Sequence, residues 1–229
     1  MEFLKSIFDI HSTLFNFPGY PMSYLEFIGT LAGLISVYYA TKANILTWST
    51  GILNELAFFA LFFQVQLYSD MLLQAFFLLI SIQGWINWKT NQHSGKNQIT
   101  FLTKKKLILV VAGIVLSTII TGIIMTNIHR YCPVIFHKPA AFPFTDAFVA
   151  ILSIVATFLM IYKKVECWYL WILVDLISIV MYFYKGLFVV SGEYIIFLIL
   201  AIYGLFNWIK QFKHGHENRF GIGKIHAHT

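Results

Sequence analysis

Glu55 and Asp175 each stand near the middle of a long apolar segment, a place where a carboxyl costs about 2.5–3.5 kcal/mol even on the lower insertion scales. Neither is expected to face lipid. Around the second acid, the spacing Trp168, Trp171, Asp175, Ser178, Tyr182 gathers two indoles, a carboxyl, a hydroxyl and a phenol on one helix face, because residues three and four apart are neighbours. The corresponding stripe around the first acid is Trp48, Gly51, Glu55 and Phe58. Rings stack on flat ligands, and acids accept hydroxyl protons or attract a cation, so the combination fits a pocket for a planar, polar molecule. The structural alternative is that Glu55 and Asp175 only tie helices together by hydrogen bonds.

A second constellation is made of amides. Gln83 and Asn87 are four residues apart, as are Tyr203 and Asn207, so each pair projects from one helix face. Amides in hydrocarbon demand partners, which a ribose or a carboxamide supplies. Trp88 and Trp208 follow directly on the two asparagines; they belong to the candidate binding set, although a tryptophan ending an apolar segment beside lysine is ordinarily an interfacial anchor. Asn54 joins the set with interhelical bonding as its alternative, and Gln64, Gln66 and Gln74 are weaker candidates of the same kind. No catalytic or metal-ligating residue emerges, and no cofactor is expected: apart from His11 in the amphipathic start, the histidines fall in loops and the tail, and Cys132 and Cys167 have no metal-ligand spacing.

These residues need a membrane around them. The chain of 229 residues is 59% hydrophobic and 11% charged, with mean hydropathy +0.74, whereas a soluble domain carries about 25% charged residues. Its formal charge of +6 is spent between apolar runs, so it speaks of topology and lipid headgroups rather than nucleic acid. Residues 1–17 read as a short amphipathic interfacial helix, broken by Pro18, Gly19 and Pro21. Seven spans follow, at about 22–41, 45–67, 70–88, 106–127, 144–162, 167–184 and 193–210, each near the roughly 20 residues that cross the hydrocarbon. Lysine and arginine divide twelve to four between the two sides, which puts the C-terminus in the cytoplasm and the N-terminus outside.

The spans repeat. At an offset of 120 residues Trp48 recurs as Trp168, Glu55 as Asp175, Gly84 as Gly204, Asn87 as Asn207 and Trp88 as Trp208. The expected fold is therefore an all-α integral membrane protein with seven transmembrane helices in a 3+1+3 arrangement of parallel repeats. It divides into an N-terminal interfacial helix (1–20), a first three-helix repeat (21–90), a linker helix with its loops (91–142), a second repeat (143–210) and a cytoplasmic tail (211–229). Parallel repeats with polar groups at membrane depth are a carrier's architecture. Gly29 and Gly33 give the first span a small-residue face for close packing. A seven-helix sensor lacks a cytoplasmic partner module, and a membrane enzyme lacks clustered nucleophiles, bases or metal ligands.

On Trp168-x-x-Trp171-x-x-x-Asp175, Gln83-Gly84-Trp85-x-Asn87-Trp88, Gly204-x-x-Asn207-Trp208 and the three, one and three spans, the chain resembles the bacterial nicotinamide riboside transporters of the PnuC type, relatives in architecture of the SWEET sugar transporters. The resemblance implies uptake of nicotinamide riboside down its gradient across the inner membrane, with a cytoplasmic kinase trapping it, and it implies a homotrimer. Thiamine or another vitamin or nucleoside is the alternative cargo, since carriers of the same superfamily take other substrates.

Overall fold

The computed structural model describes residues 12–17, 20–64, 68–91, 98–131, 142–184, 186 and 188–220. Two strands, β1 (Thr13–Phe17) and β2 (Tyr20–Ser23), precede seven helices: α1 (Tyr24–Thr41), α2 (Leu46–Gln64), α3 (Tyr68–Asn91), α4 (Lys104–Tyr131), α5 (Pro143–Ile161), α6 (Glu166–Tyr184) and α7 (Phe188–Phe220). Six of them, α2 to α7, are long and apolar enough to cross a membrane. The first, α1, is 18 residues long with Glu26 in its first turn and is not among these six.

The hairpin corrects one expectation. Residues 13–17 are not part of an amphipathic helix: they are extended and pair antiparallel with β2, Thr13 opposite Ser23 and Phe17 opposite Tyr20. Thr13, Phe15 and Phe17 are of the branched and aromatic types that suit a pleated surface, and Phe15 sets its ring edge-on to Phe27 of α1, centroids 5.4 Å apart. Ser23 then turns the chain into α1 by accepting the Glu26 backbone N–H on its hydroxyl at 3.2 Å, an N-cap that satisfies one of the helix's open donors. The rest of the expected helix, together with Gln66, residues 92–97, the loop with Pro133 and Pro139, and the tail from 221 on, lies outside the described residues.

The chain forms two compact units, residues 1–97 and 98–229. In the first, α2 packs against both α1 and α3; in the second, α6 packs against both α5 and α7, and α4 packs on α5. Pro143 opens α5 at its first turn, where its missing N–H costs nothing. The core of the second unit is built on Ile114, Leu152 and Val174, with Trp171 packed against it. Large apolar side chains cover the outside of α4, Ile108 and Leu109 among them, as lipid-facing surface does. The last helix continues beyond the expected end of its span, to Phe220.

Candidate functional site

The two units use the same turn. Between α1 and α2 the Ala43 N–H donates to Ala40 O at 2.9 Å and the Asn44 N–H to Tyr39 O at 3.0 Å; between α5 and α6 the Lys163 N–H donates to Met160 O at 2.9 Å and the Lys164 N–H to Leu159 O at 2.9 Å. Each turn pivots on a non-glycine residue in the left-handed region, Ala43 at φ 52° and Lys163 at φ 48°, which ordinary L-residues visit rarely. Past the turn, the Trp48 N–H donates to Ile45 O and the Trp168 N–H to Val165 O, both at 3.1 Å. The turn thus delivers an indole to the same place in each unit.

That indole is locked in the same way twice. Trp48 meets Trp88 edge-on, centroids 5.4 Å apart and planes at 88°; Trp168 meets Trp208 at 5.6 Å and 87°. Gly84 and Gly204 make room: a β-carbon on either would fall 2.5 or 2.6 Å from the ring of Trp48 or Trp168. All four indoles are buried, with Trp88 at 1% and Trp208 at 0% exposure, so the last two are enclosed partners of inner rings rather than rings standing at a surface. The indole N–H groups of Trp48, Trp168 and Trp171 are enclosed and find no acceptor among the described residues. A buried donor left unpaired costs about 1–3 kcal/mol.

The acids differ. Glu55, buried on α2, accepts a hydrogen bond on Oε1 from Ser81 Oγ of α3 at 2.6 Å. Asp175, also buried, sits on α6 opposite a residue that cannot do this, since the position matching Ser81 is Ala201. Its surroundings are instead on its own face and on α7: Ser178 is fully buried one turn on, and two turns on Tyr182 stacks on Tyr194 of α7 with centroids 5.3 Å apart and planes at 19°. Trp171 is half-buried on this stripe.

The remaining candidates separate by role. Asn54 donates its Nδ2 to Gly29 O at 2.8 Å, a tie between α2 and α1, and Gly29 itself is buried against Phe58 and Ala57 of α2. Gln64 bonds back to Ala60 O at 3.2 Å. Asn87 and Asn207 are half-buried, while Gln83 and Tyr203 are exposed; by helical spacing each pair flanks the inward face that carries Gly84 and Trp88, or Gly204 and Trp208. Residue typing alone overlooked Ser81, Ser36, Ser191 and Tyr194. Ser81 was detectable as the small polar residue at three- and seven-residue spacing from Gly84 and Trp88, but its bond to Glu55 spans 26 residues.

At the basic end of the second unit the chain before α4 is strapped down. Thr100 pairs with the α5–α6 turn, its N–H donating to Lys163 O and its carbonyl accepting the Val165 N–H, both at 3.1 Å. Lys164 Nζ donates to Thr100 Oγ1 at 2.7 Å, and the Leu102 N–H to Glu166 Oε1 at 2.8 Å. Burial pushes the Lys163 ammonium down from its ordinary value to about 8, because an enclosed charge loses its hydration.

Membrane-length helices with enclosed indoles and acids describe a multi-pass carrier, and the comparisons name its kind. The family model for the nicotinamide mononucleotide transporter matches residues 23–210. The nicotinamide riboside transporter PnuC of Escherichia coli strain K12 is 34% identical over 225 residues, covering 89% of this chain and 94% of that one. The riboflavin/roseoflavin transporter RibM of Streptomyces davaonensis is 23% identical over 186 residues, covering 80% and 83%. Among solved structures, a crystal structure of the vitamin B3 transporter PnuC shares the fold with TM-score 0.63 at 24% identity, covering 83% of each chain. The chain belongs to the nicotinamide mononucleotide transporter family. It is a transporter and not an enzyme, a multi-pass protein of the bacterial inner membrane.

Proposed function

We propose that the protein carries nicotinamide riboside into the cell by facilitated diffusion, exposing its site alternately to the two sides of the membrane, and that phosphorylation in the cytoplasm traps the cargo. The observation that carries this reading is the α6 face, where buried Asp175 shares a stripe with Trp168 and Trp171, whose indole N–H groups have no acceptor among the described residues. A flat cationic ring is drawn by the acid and by ring faces. Its hydroxyls and carboxamide suit the indole donors, Tyr182, and the phenol and amide of Tyr203 and Asn207 on α7; Gln83 and Asn87 are the matching candidates in the first unit. The Trp168–Trp208 pair holds the shape of this face, as Trp48–Trp88 does in the first unit. Support for the cargo comes from the relative in Escherichia coli, whose name states it.

In this reading the helices are two parallel three-helix repeats joined by α4, the N-terminus is outside and the C-terminus cytoplasmic, and the working form is a homotrimer. The matching turns and indole pairs support the repeats, and the excess of lysine and arginine on one side supports the orientation. A second cargo class, another aromatic vitamin, is favoured by the likeness to a riboflavin carrier. Purified protein in liposomes separates the two: saturable entry of radiolabelled nicotinamide riboside, chemically unchanged, outcompeting thiamine and riboflavin, is the expected result. Preference for either vitamin overturns the cargo, and product formation overturns the carrier. Entry that stops at equilibrium, and continues only when a kinase and ATP are enclosed, supports trapping.

A further inference from the structure

Glu55 stands among oxygens. Ser81 Oγ occupies its Oε1, while its Oε2 is enclosed and has no hydrogen-bond partner among the described residues. Three oxygens converge beside Gly51: Ser36 Oγ, Ser81 Oγ and Glu55 Oε1 lie 3.2, 3.8 and 3.9 Å from where a β-carbon on that glycine would stand. Ser36 donates to Thr47 O at 2.7 Å, which spends its proton, and its Oγ lies 3.4 Å from Thr47 Oγ1, which leaves it a lone pair beyond the one facing Thr47. The charged side chains described on the packed helices are remote. Glu26 is in the first turn of α1 and Lys89 in the last turn of α3, the one about 15 Å along its helix from Ser36 and the other about 12 Å from Ser81 at 1.5 Å per residue. Tyr24, Tyr38 and Tyr39 stand at the ends of α1.

An enclosed carboxylate with an unbonded oxygen and no cationic partner among the described residues is costly in any protein interior, and more so at membrane depth. A unit positive charge taken from solution removes that cost. We propose that Glu55 is a cation site, holding one monovalent cation, a proton or a sodium ion, with Ser81 and Ser36 beside it. A proton neutralises the carboxyl and leaves the Ser81 bond in place. A sodium ion is a hard cation that takes hydroxyl and carboxylate oxygens as ligands. The second unit has no such set: Ala201, Ala156 and Trp171 stand at the positions matching Ser81, Ser36 and Gly51. The site concerns neither the cargo nor the α6 stripe, so it stands or falls apart from the proposed function.

The test is thermal melting of the purified full-length protein without cargo, wild type against Glu55→Gln. If sodium is held, replacing choline chloride by sodium chloride at constant pH raises the wild-type melting temperature by about 2–4 °C and leaves Glu55→Gln unmoved. If a proton is held, sodium does nothing. Unfolding then releases a proton, so wild type loses stability relative to Glu55→Gln as pH rises from mildly acidic to alkaline. Parallel responses of the two proteins to both sodium and pH overturn the proposal. Should Glu55→Gln fail to fold, Ser81→Ala replaces it: it keeps the acid and removes one oxygen, so its sodium or pH response must differ from wild type, and an identical response overturns the site.

Discussion

The two units share a frame and differ in what the frame encloses. Turn, indole pair and glycine notch recur almost bond for bond, from Ala43, Trp48, Gly84 and Trp88 to Lys163, Trp168, Gly204 and Trp208. Around the acids the match ends: Glu55 is bonded to Ser81 and α2 is tied to α1 by Asn54, whereas the position matching Asn54 is Val174, part of an apolar core, and Asp175 is set among aromatic neighbours. The packing matches because close-packed rings tolerate little change of volume. Polar positions are free to diverge where each acid can be satisfied differently. The first unit ties its helices through Asn54 and Ser81, with the Trp48 N–H lacking an acceptor among the described residues, whereas the second has two such indoles, Trp168 and Trp171.

The comparison breaks most visibly at the glycine notches. Gly84→Ala and Gly204→Ala each drive a methyl into an indole, and overpacking of this kind costs about 1–3 kcal/mol. Both variants should melt lower, and by similar amounts; a large loss in one alone would show that the frames are not mechanically equivalent. On the α6 stripe, Trp171→Leu should weaken nicotinamide riboside binding by roughly 2- to 30-fold, from a cation–ring contribution of about 0.5–2 kcal/mol. Asp175→Asn should weaken a cationic cargo more than neutral inosine. Titration calorimetry checks both, and unchanged affinity in two folded variants would remove the stripe from the site.

Asn54→Ala sharpens the contrast further. It deletes one interhelical hydrogen bond, worth about 0.5–1.5 kcal/mol, and should lower the melting temperature while Val174→Ala acts through apolar packing instead. Substrate affinity after Asn54→Ala should stay near wild type if the amide is a helix tie. The smallest effect belongs to the turns. Lys163, with its ammonium pushed down to about 8 from 10.5, binds fewer protons folded than unfolded between those values, so stability rises with pH across that window. Lys163→Met should abolish the rise, whereas its counterpart Ala43 has no group to titrate. Melting curves of the two proteins at mildly alkaline pH measure the difference, and parallel curves would mean that the lysine titrates normally.

Much of this was legible in the residues themselves. Apolar run lengths located the seven helices of the described residues because closing backbone hydrogen bonds within hydrocarbon leaves the helix as the open choice. The offset of 120 residues exposed the frame because Trp, Gly, Asn and the acids are rare enough inside such runs to be counted. What the residues could not disclose was partnership. Thr13–Phe17 pairs with a strand only a few residues away, and nothing local decided between that hairpin and an amphipathic helix. Trp88 and Trp208 end their runs as interfacial anchors do, yet are buried against rings forty residues earlier. Composition and spacing determined the solvent, the long helices and the echo, since each follows from local hydropathy and period. Only the tertiary structure decided that Ser81 bonds one oxygen of Glu55, that Asn54 ties α2 to Gly29 and that the indole N–H groups of Trp48, Trp168 and Trp171 find no acceptor among the described residues, because a hydrogen bond is made or missed over tenths of an ångström between helices whose separation no local pattern encodes.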